Sequence, residues 1–366
     1  MKKIVVIGAG KIGTTIADLL ATTGDYQVTV ADRSEAQLAA LPKGGAIRAL
    51  PVDVTDPAAL AQGLSGSYAV LSAAPYHLTT RIAEAAAPLG VHYLDLTEDV
   101  ASTKRVQELA ATGPAAFIPQ CGLAPGFVSI VAADLARQMD RLDSLSLRVG
   151  ALPQYPSNAL KYNLTWSTDG VINEYCEPCE VIVSGKRLLV PALEEREEFS
   201  LDGETYEAFN TSGGLGTLCE TLDGKVRTLN YRTIRYPGHA AIMKVLLQDL
   251  RLCERRDLIK DIFEHALPST MQDVVVIFVT ASGTKDGRLV QQSYANKIYS
   301  QVLSGQMRSA IQVTTASGIC AVLDLLATGA LPQQGFVKQE QIALEAFLVN
   351  RFGRVYARRE GVRSAA

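Results

Sequence analysis

Three glycines, Gly8, Gly10 and Gly13, form the stretch GAGKIG directly after the apolar run KIVVI and directly before a helical pattern. Each has a task in holding a dinucleotide: Gly8 makes a tight turn, Gly10 lets the backbone approach a pyrophosphate, and Gly13 lets helix and strand pack closely. The phosphates would face the unpaired N–H groups and positive end of the helix that begins near Ile12, with Lys11 beside it. A second run, QVTVAD, ends at Asp32. A carboxylate there accepts hydrogen bonds from both ribose hydroxyls and repels a 2′-phosphate, which favours NAD over NADP. Arg33, next in the chain, could instead meet that phosphate. Asp53, with Val54 after it, stands either to meet the adenine amino group or to cap the turn before Pro57. Ala73, Ala74 and Pro75 close a fourth run with side chains small enough for a nicotinamide ring to lie against the backbone. Thr97 joins this cofactor set.

A carboxylate cluster, Asp95, Glu98 and Asp99 in LDLTEDV, follows the run VHYL. That places it at the carboxyl edge of a sheet, where open α/β folds bind ligands. The same acids also suit the cap and first turn of the helix over STKRVQELAA.

These groups need a scaffold, and the first 120 residues supply one. KIVVIG, QVTVAD, AIRALPVDV, YAVLSAAP, VHYLDLT and AAFIPQCG are short apolar runs, all but the last followed by a helical pattern. Six such strands make a doubly wound parallel sheet covered on both faces, a Rossmann domain over residues 1–124. After Gly126 longer alternating stretches appear, and DVVVIFVTASG and RLVQQSYANKIYS read as a hairpin around Lys285, Asp286 and Gly287. Residues 125–308 therefore form an α+β substrate and dimerisation domain with an antiparallel sheet. Residues 309–366 form a helical segment that packs back on the domains, although pattern alone does not say on which.

Composition narrows the function. The chain has 366 residues with 35 basic and 38 acidic side chains, so a net charge of −3 gives no reason to expect nucleic acid or an anionic membrane as partner. No run approaches the ~18 uninterrupted apolar residues of a membrane span. Lys11 and Asp18 interrupt the N-terminal apolar run too early for an export leader, so a cytoplasmic, reducing setting is expected. Six scattered cysteines then serve packing. Cys176 and Cys179 have the spacing of a zinc or redox pair, but no second pair or short-spaced histidines complete a metal site, so none is expected.

PYHLTTRIAEAAAPLGVHYLDLTED, CGLAPGFVSIVA and NALKYNLTWSTDGVINEY resemble the saccharopine dehydrogenase family. Within it EAFNTSGGLGTLCETL and TIRYPGHAAIMKVL look most like the lysine 6-dehydrogenase branch. The resemblance runs from Met1 to about Thr328. It implies hydride transfer from a carbon bearing an amine: NAD-dependent oxidation of the side-chain amine of L-lysine to a 6-semialdehyde that cyclises, with ammonia released. Dehydrogenases of saccharopine or carboxynorspermidine are the alternative, and a silent NAD-binding sensor a third.

That chemistry needs a base for an ammonium of pKa about 10.4 and a cation for the α-carboxylate. Glu98 is the candidate for the amine, with Asp95 orienting the loop or a ribose. Arg235 is the candidate fork for the carboxylate. His239 is either its neighbour or a proton carrier, and Lys161 a base if burial lowers its pKa. Gly122 lies at the crossover between domains, in a stretch that could serve as hinge and pocket floor. Tyr76, Tyr162, Trp166 and Ser167 are candidate walls, and Thr211 and Ser212 a polar loop for the carboxylate. A homodimer joined by exposed strand edges is expected.

Overall fold

Asp56, Asp99, Ser167 and Ser309 each precede a helix, and each side chain accepts a backbone N–H from the first turn that follows. These caps satisfy donors that a helix cannot satisfy itself, which fixes where the helices begin. The computed structural model describes residues 1–42 and 46–357.

The first domain runs β1 (Lys2–Ile7), α1 (Lys11–Ala21), β2 (Tyr26–Asp32), α2 (Glu35–Ala39), β3 (Ile47–Pro51), α3 (Pro57–Leu64), β4 (Ala69–Ser72), α4 (Tyr76–Ala86), β5 (His92–Asp95), α5 (Val100–Ala110) and β6 (Ala116–Ile118). All six expected strands are present and parallel, in the order β6-β5-β4-β1-β2-β3. The order reverses between β1 and β4, so a crevice opens there at the carboxyl edge, just where the glycine turn and Ala73–Pro75 meet.

The second domain comprises α6 (Phe127–Arg137), β7 (Arg141–Pro153), α7 (Thr168–Cys176), β8 (Cys179–Val183), β9 (Lys186–Val190), β10 (Glu197–Leu201), β11 (Glu204–Asn210), α8 (Leu218–Thr221), β12 (Val226–Arg235), α9 (His239–Lys244), α10 (Arg256–Ala266), β13 (Asp273–Lys285) and β14 (Arg288–Tyr299). Its main sheet has the order β10-β11-β12-β7-β13-β14, with the β8–β9 hairpin attached to β12. The sheet is mixed rather than wholly antiparallel, because β7 and β12 pair in parallel through the long crossover between them. The β13–β14 hairpin turns at Asp286 (φ 50°) and Gly287 (φ 72°), the left-handed pair that a two-residue hairpin of this twist requires.

The last part contains β15 (Gln301–Leu303), β16 (Gln306–Arg308), α11 (Ala310–Ala327), β17 (Gly335–Phe336) and α12 (Leu344–Val349). It joins both domains. β17 adds a seventh strand beside β6, and α11 packs on α1 on one side and on β13 on the other. By length and composition α11 could cross a membrane, but 89% of it is buried within the protein, as a core helix is. Asp273 accepts the N–H groups of Ala310 and Ile311 at its start, while Asp324 near its end accepts the Tyr26 hydroxyl at 2.6 Å. One apolar core runs without a break from β1 and β2 through α6 and α11 to β7 and β13.

The cysteines depart from expectation. Cys176, at the end of α7, forms a disulfide with Cys253 just before α10, 77 residues away. Cys121, Cys179, Cys219 and Cys320 are free and buried, as packing residues are. The spacing of Cys176 and Cys179 was therefore uninformative, since the packing of α7 against α10 chooses the partner.

Candidate functional site

The glycine turn has the geometry of a phosphate cradle. A Cβ on Gly13 would lie 1.8 Å from the Gly8 carbonyl oxygen, so helix and strand could not approach so closely with any other residue. Gly8 has φ 108°, and a Cβ there would press on the Ala73 carbonyl at 2.9 Å. Around Gly10 nothing lies within 4 Å of that position, which leaves the backbone open to a ligand. No side chain caps α1 at Gly10, so its first-turn N–H groups are available to an anion. Asp32 accepts from Ala9 N–H at 2.7 Å and Ser34 N–H at 2.8 Å, which ties the tip of β2 to the turn. Arg33 is exposed. Asp53 is exposed too and accepts both the N–H and hydroxyl of Thr55, bonds that hold its carboxyl below the usual range. It therefore shapes the turn after β3, while Asp56 caps α3. Val54 is half-buried against the core of this domain. These residues fit a dinucleotide.

A cavity of about 630 Å³ runs from this turn into the second domain. Gly10, Lys11, Ile12 and Gly13 line its cofactor end, together with Ala73–Tyr76 and Thr97. Glu98, Gly122, Trp166, Ser167 and Arg235 line the other end, so residues far apart in the chain share one chamber. Gly122 forms its floor with Pro125. The corner is tight, since a Cβ on Gly126 would fall 2.2 Å from the Gly122 carbonyl oxygen.

Glu98 is carried on the loop between β5 and α5. Burial pushes its carboxyl up to about 7 against the pull of its own backbone N–H, and the charges of Asp99 and Asp95 add to the rise. Asp95 is fully buried and does not line the cavity. It accepts from Gln120 N–H (2.8 Å), Thr97 N–H (3.0 Å) and the Tyr93 hydroxyl (2.8 Å), and so fixes the loop that presents Glu98. Burial raises its own carboxyl to about 6.

Arg235 ends β12 and is buried. One Nη donates to the Ile234 carbonyl at 2.8 Å, Nε has no partner, and the guanidinium lies 5.1 Å from the Tyr162 ring and 5.8 Å from Tyr175. Among the described residues no carboxylate pairs with it, which leaves a desolvated cation facing the chamber.

Four expectations need correction. His239 is buried outside the chamber: Nδ1 donates to the Leu160 carbonyl at 2.8 Å, which requires Nε2 to accept from the Tyr175 hydroxyl at 3.2 Å. Burial and the Arg235 charge push its pKa down to about 3, so it stays neutral and structural. Lys161 is exposed outside the chamber and donates to the Pro237 carbonyl, so the burial a lysine base needs is missing. Thr211 and Ser212 also lie outside it, with the Thr211 hydroxyl bonded to Thr233 and the Ser212 hydroxyl to the Pro178 carbonyl. Tyr162 backs Arg235 rather than lining the wall.

The sequence left α11 and Glu174 unmarked, among other residues of the lining. α11 supplies Ile311, Gln312 and Thr315 to the chamber, and Gln312 Nε2 reaches the Lys11 carbonyl at 3.4 Å. Glu174, on α7, is a buried carboxyl that also faces it. Burial and the Glu98 charge push it well above the usual range, while Arg235 opposes them. The one available hint was an acid inside the apolar stretch GVINEYC.

Residues 4–117 match the saccharopine dehydrogenase NADP binding domain, and residues 122–353 match the saccharopine dehydrogenase C-terminal domain. Over 177 residues the chain is 27% identical to saccharopine dehydrogenase (NADP(+), L-glutamate-forming) of Saccharomyces cerevisiae, which covers 47% of this chain and 40% of that protein. Over 192 residues it is 24% identical to the mitochondrial alpha-aminoadipic semialdehyde synthase of Mus musculus, covering 50% of this chain and 21% of that one. The chain thus matches these two relatives over less than half of their length. The apo structure of the Saccharomyces cerevisiae saccharopine dehydrogenase (L-Glu forming) shares the fold, with a TM-score of 0.77 at 18% identity over 93% of this chain and 94% of that one.

Proposed function

Because the chain belongs to the saccharopine dehydrogenase family, we propose that it oxidises the side-chain amine of L-lysine with NAD, yielding the 6-semialdehyde, its cyclised piperideine-6-carboxylate and ammonia. The observation that carries this reading is the charge pattern of the chamber, where one buried guanidinium, Arg235, shares the lining with two carboxyl groups, Glu98 and Glu174, besides Asp169, which Lys260 neutralises, and the exposed Glu264. Lysine has the complementary pattern of one carboxylate and two ammonium groups. Saccharopine has three carboxylates and calls for further cationic grips. Arg81 is exposed on α4, Lys161 is exposed, and Arg232 is paired with Glu195 and Glu197. None of the three lines the chamber, whose only other lysine or arginine among the described residues is Lys11 at the phosphate turn.

In this reading Arg235 takes the α-carboxylate, led by its unpartnered Nε. Glu98 accepts a proton from the reacting ammonium, converting it to the amine that can release hydride. With its phosphates at the glycine turn, a dinucleotide would be held with the nicotinamide against Ala73, Ala74 and Pro75 and would supply the hydride acceptor. Trp166 and Leu164 in the wall keep water from the reacting carbon. The substrate imine then adds water and releases ammonia. NAD is preferred because the Asp32 carboxylate, at the tip of β2, opposes a 2′-phosphate.

Purified protein supplied with L-lysine and either coenzyme tests the proposal. The expected outcome is growth of reduced-nicotinamide absorbance with lysine, faster with NAD than with NADP. Turnover of saccharopine but not lysine would overturn it.

A further inference from the structure

Three ionisable side chains, Glu98, Glu174 and Arg235, line the substrate end of the chamber. Glu174 is buried and feels the charge of Arg235, which is buried too. It attracts Arg235 without forming an ion pair, and no described residue hydrogen-bonds its carboxyl. A buried acid and a buried cation, both facing one cavity and held apart, leave a gap that a ligand of paired opposite charges would fill. Two other acids reach the chamber, but Asp169 is paired with Lys260 and Glu264 is exposed on α10.

We propose that Glu174 and Arg235 together form a receptor for the head group of an α-amino acid. Arg235 takes the carboxylate and Glu174 the α-ammonium borne on the same carbon, while Glu98 alone meets the amine to be oxidised. This deepens the amine-dehydrogenase reading and rests on it. The substrate class is then an L-amino acid with a second, distal amine, held head first with that amine toward the glycine turn. Glu174 is held in place from outside the chamber. Arg256 bonds Asn173 and Glu177 on either side of it, and the Cys176–Cys253 disulfide pins the next turn.

Calorimetry with three ligands tests the assignment: L-lysine, 6-aminohexanoate, which lacks the α-amine, and 1,5-diaminopentane, which lacks the carboxylate. The native protein is expected to prefer lysine to 6-aminohexanoate by about tenfold or more, the scale of one charge-assisted hydrogen bond. Glu174→Gln should erase that preference and keep the preference for lysine over the diamine. Equal affinity of the native protein for lysine and 6-aminohexanoate would overturn the proposal without recourse to any variant. So would a Glu174→Gln protein that folds and retains the preference. Parallel turnover assays separate the two claims, because selective binding of lysine without its oxidation refutes the dehydrogenase reading and leaves the head-group receptor standing.

Discussion

Glu98 makes the sharpest demand on experiment. Its carboxyl moves from the ordinary 4.5 to about 7, which corresponds to roughly 3 kcal/mol of penalty on the charged form. The ionised form is the base, so the acid limb of kcat/KM for lysine should be centred near pH 7, with about half of the sites competent there. One pH unit lower the rate should fall roughly fivefold, to about a tenth of the plateau, and above the limb it should level off until the lysine amine titrates near 10. Glu98→Gln keeps the shape and removes the proton acceptor. A drop of ~10²–10⁴ in kcat is expected, with the limb abolished. Asp99→Asn is the finer probe. Asparagine caps a helix as well as aspartate does, so α5 should stay intact, while loss of a nearby negative charge should shift the limb to lower pH. Steady-state rates across pH, with nucleotide affinity measured separately, provide the assay. A Glu98→Gln enzyme that keeps the limb, or loses less than tenfold, would refute the assignment.

Arg235→Met should raise KM for lysine by ~30–1000-fold, from the loss of two charge-assisted bonds of about 1–2 kcal/mol each, and leave the affinity for NAD measured by titration unchanged. Asp32→Ala should raise KM for NAD far more than for lysine and narrow the discrimination against NADP, and equal effects on both substrates would undo its place at the ribose. Reducing the Cys176–Cys253 bridge frees a loop of 77 residues, so a dithiol should lower stability by about 2–4 kcal/mol, read as an earlier unfolding transition that a Cys176→Ser, Cys253→Ser double variant reproduces without the reagent.

The contrast between what was legible and what was hidden follows physical range. Short apolar runs identified six of the seven strands of the first sheet, and the Lys285–Gly287 segment marked the β13–β14 turn, because pleat, cap and turn depend on residues a few positions apart. The spacing of Gly8, Gly10 and Gly13 indicated the cradle for the same reason. β17 remained hidden, since two residues carry no period and their strand exists only where β6 offers an edge. The parallel pairing of β7 with β12 depends on a crossover of more than seventy residues and left no local mark.

The site divides in the same way. Sequence alone determined which residue types could grip a dinucleotide and where the sheet edge would present Glu98, because those functions reside in one turn and one loop. Only tertiary packing decided that Glu174 and Arg235 line one chamber, that α11 contributes to its wall, and that His239, Lys161, Thr211 and Ser212 stay outside. A carboxyl or imidazole does not announce its neighbours. Its charge state and reach are set by burial and by segments packed against it from elsewhere in the chain, and these exist only once the core has closed.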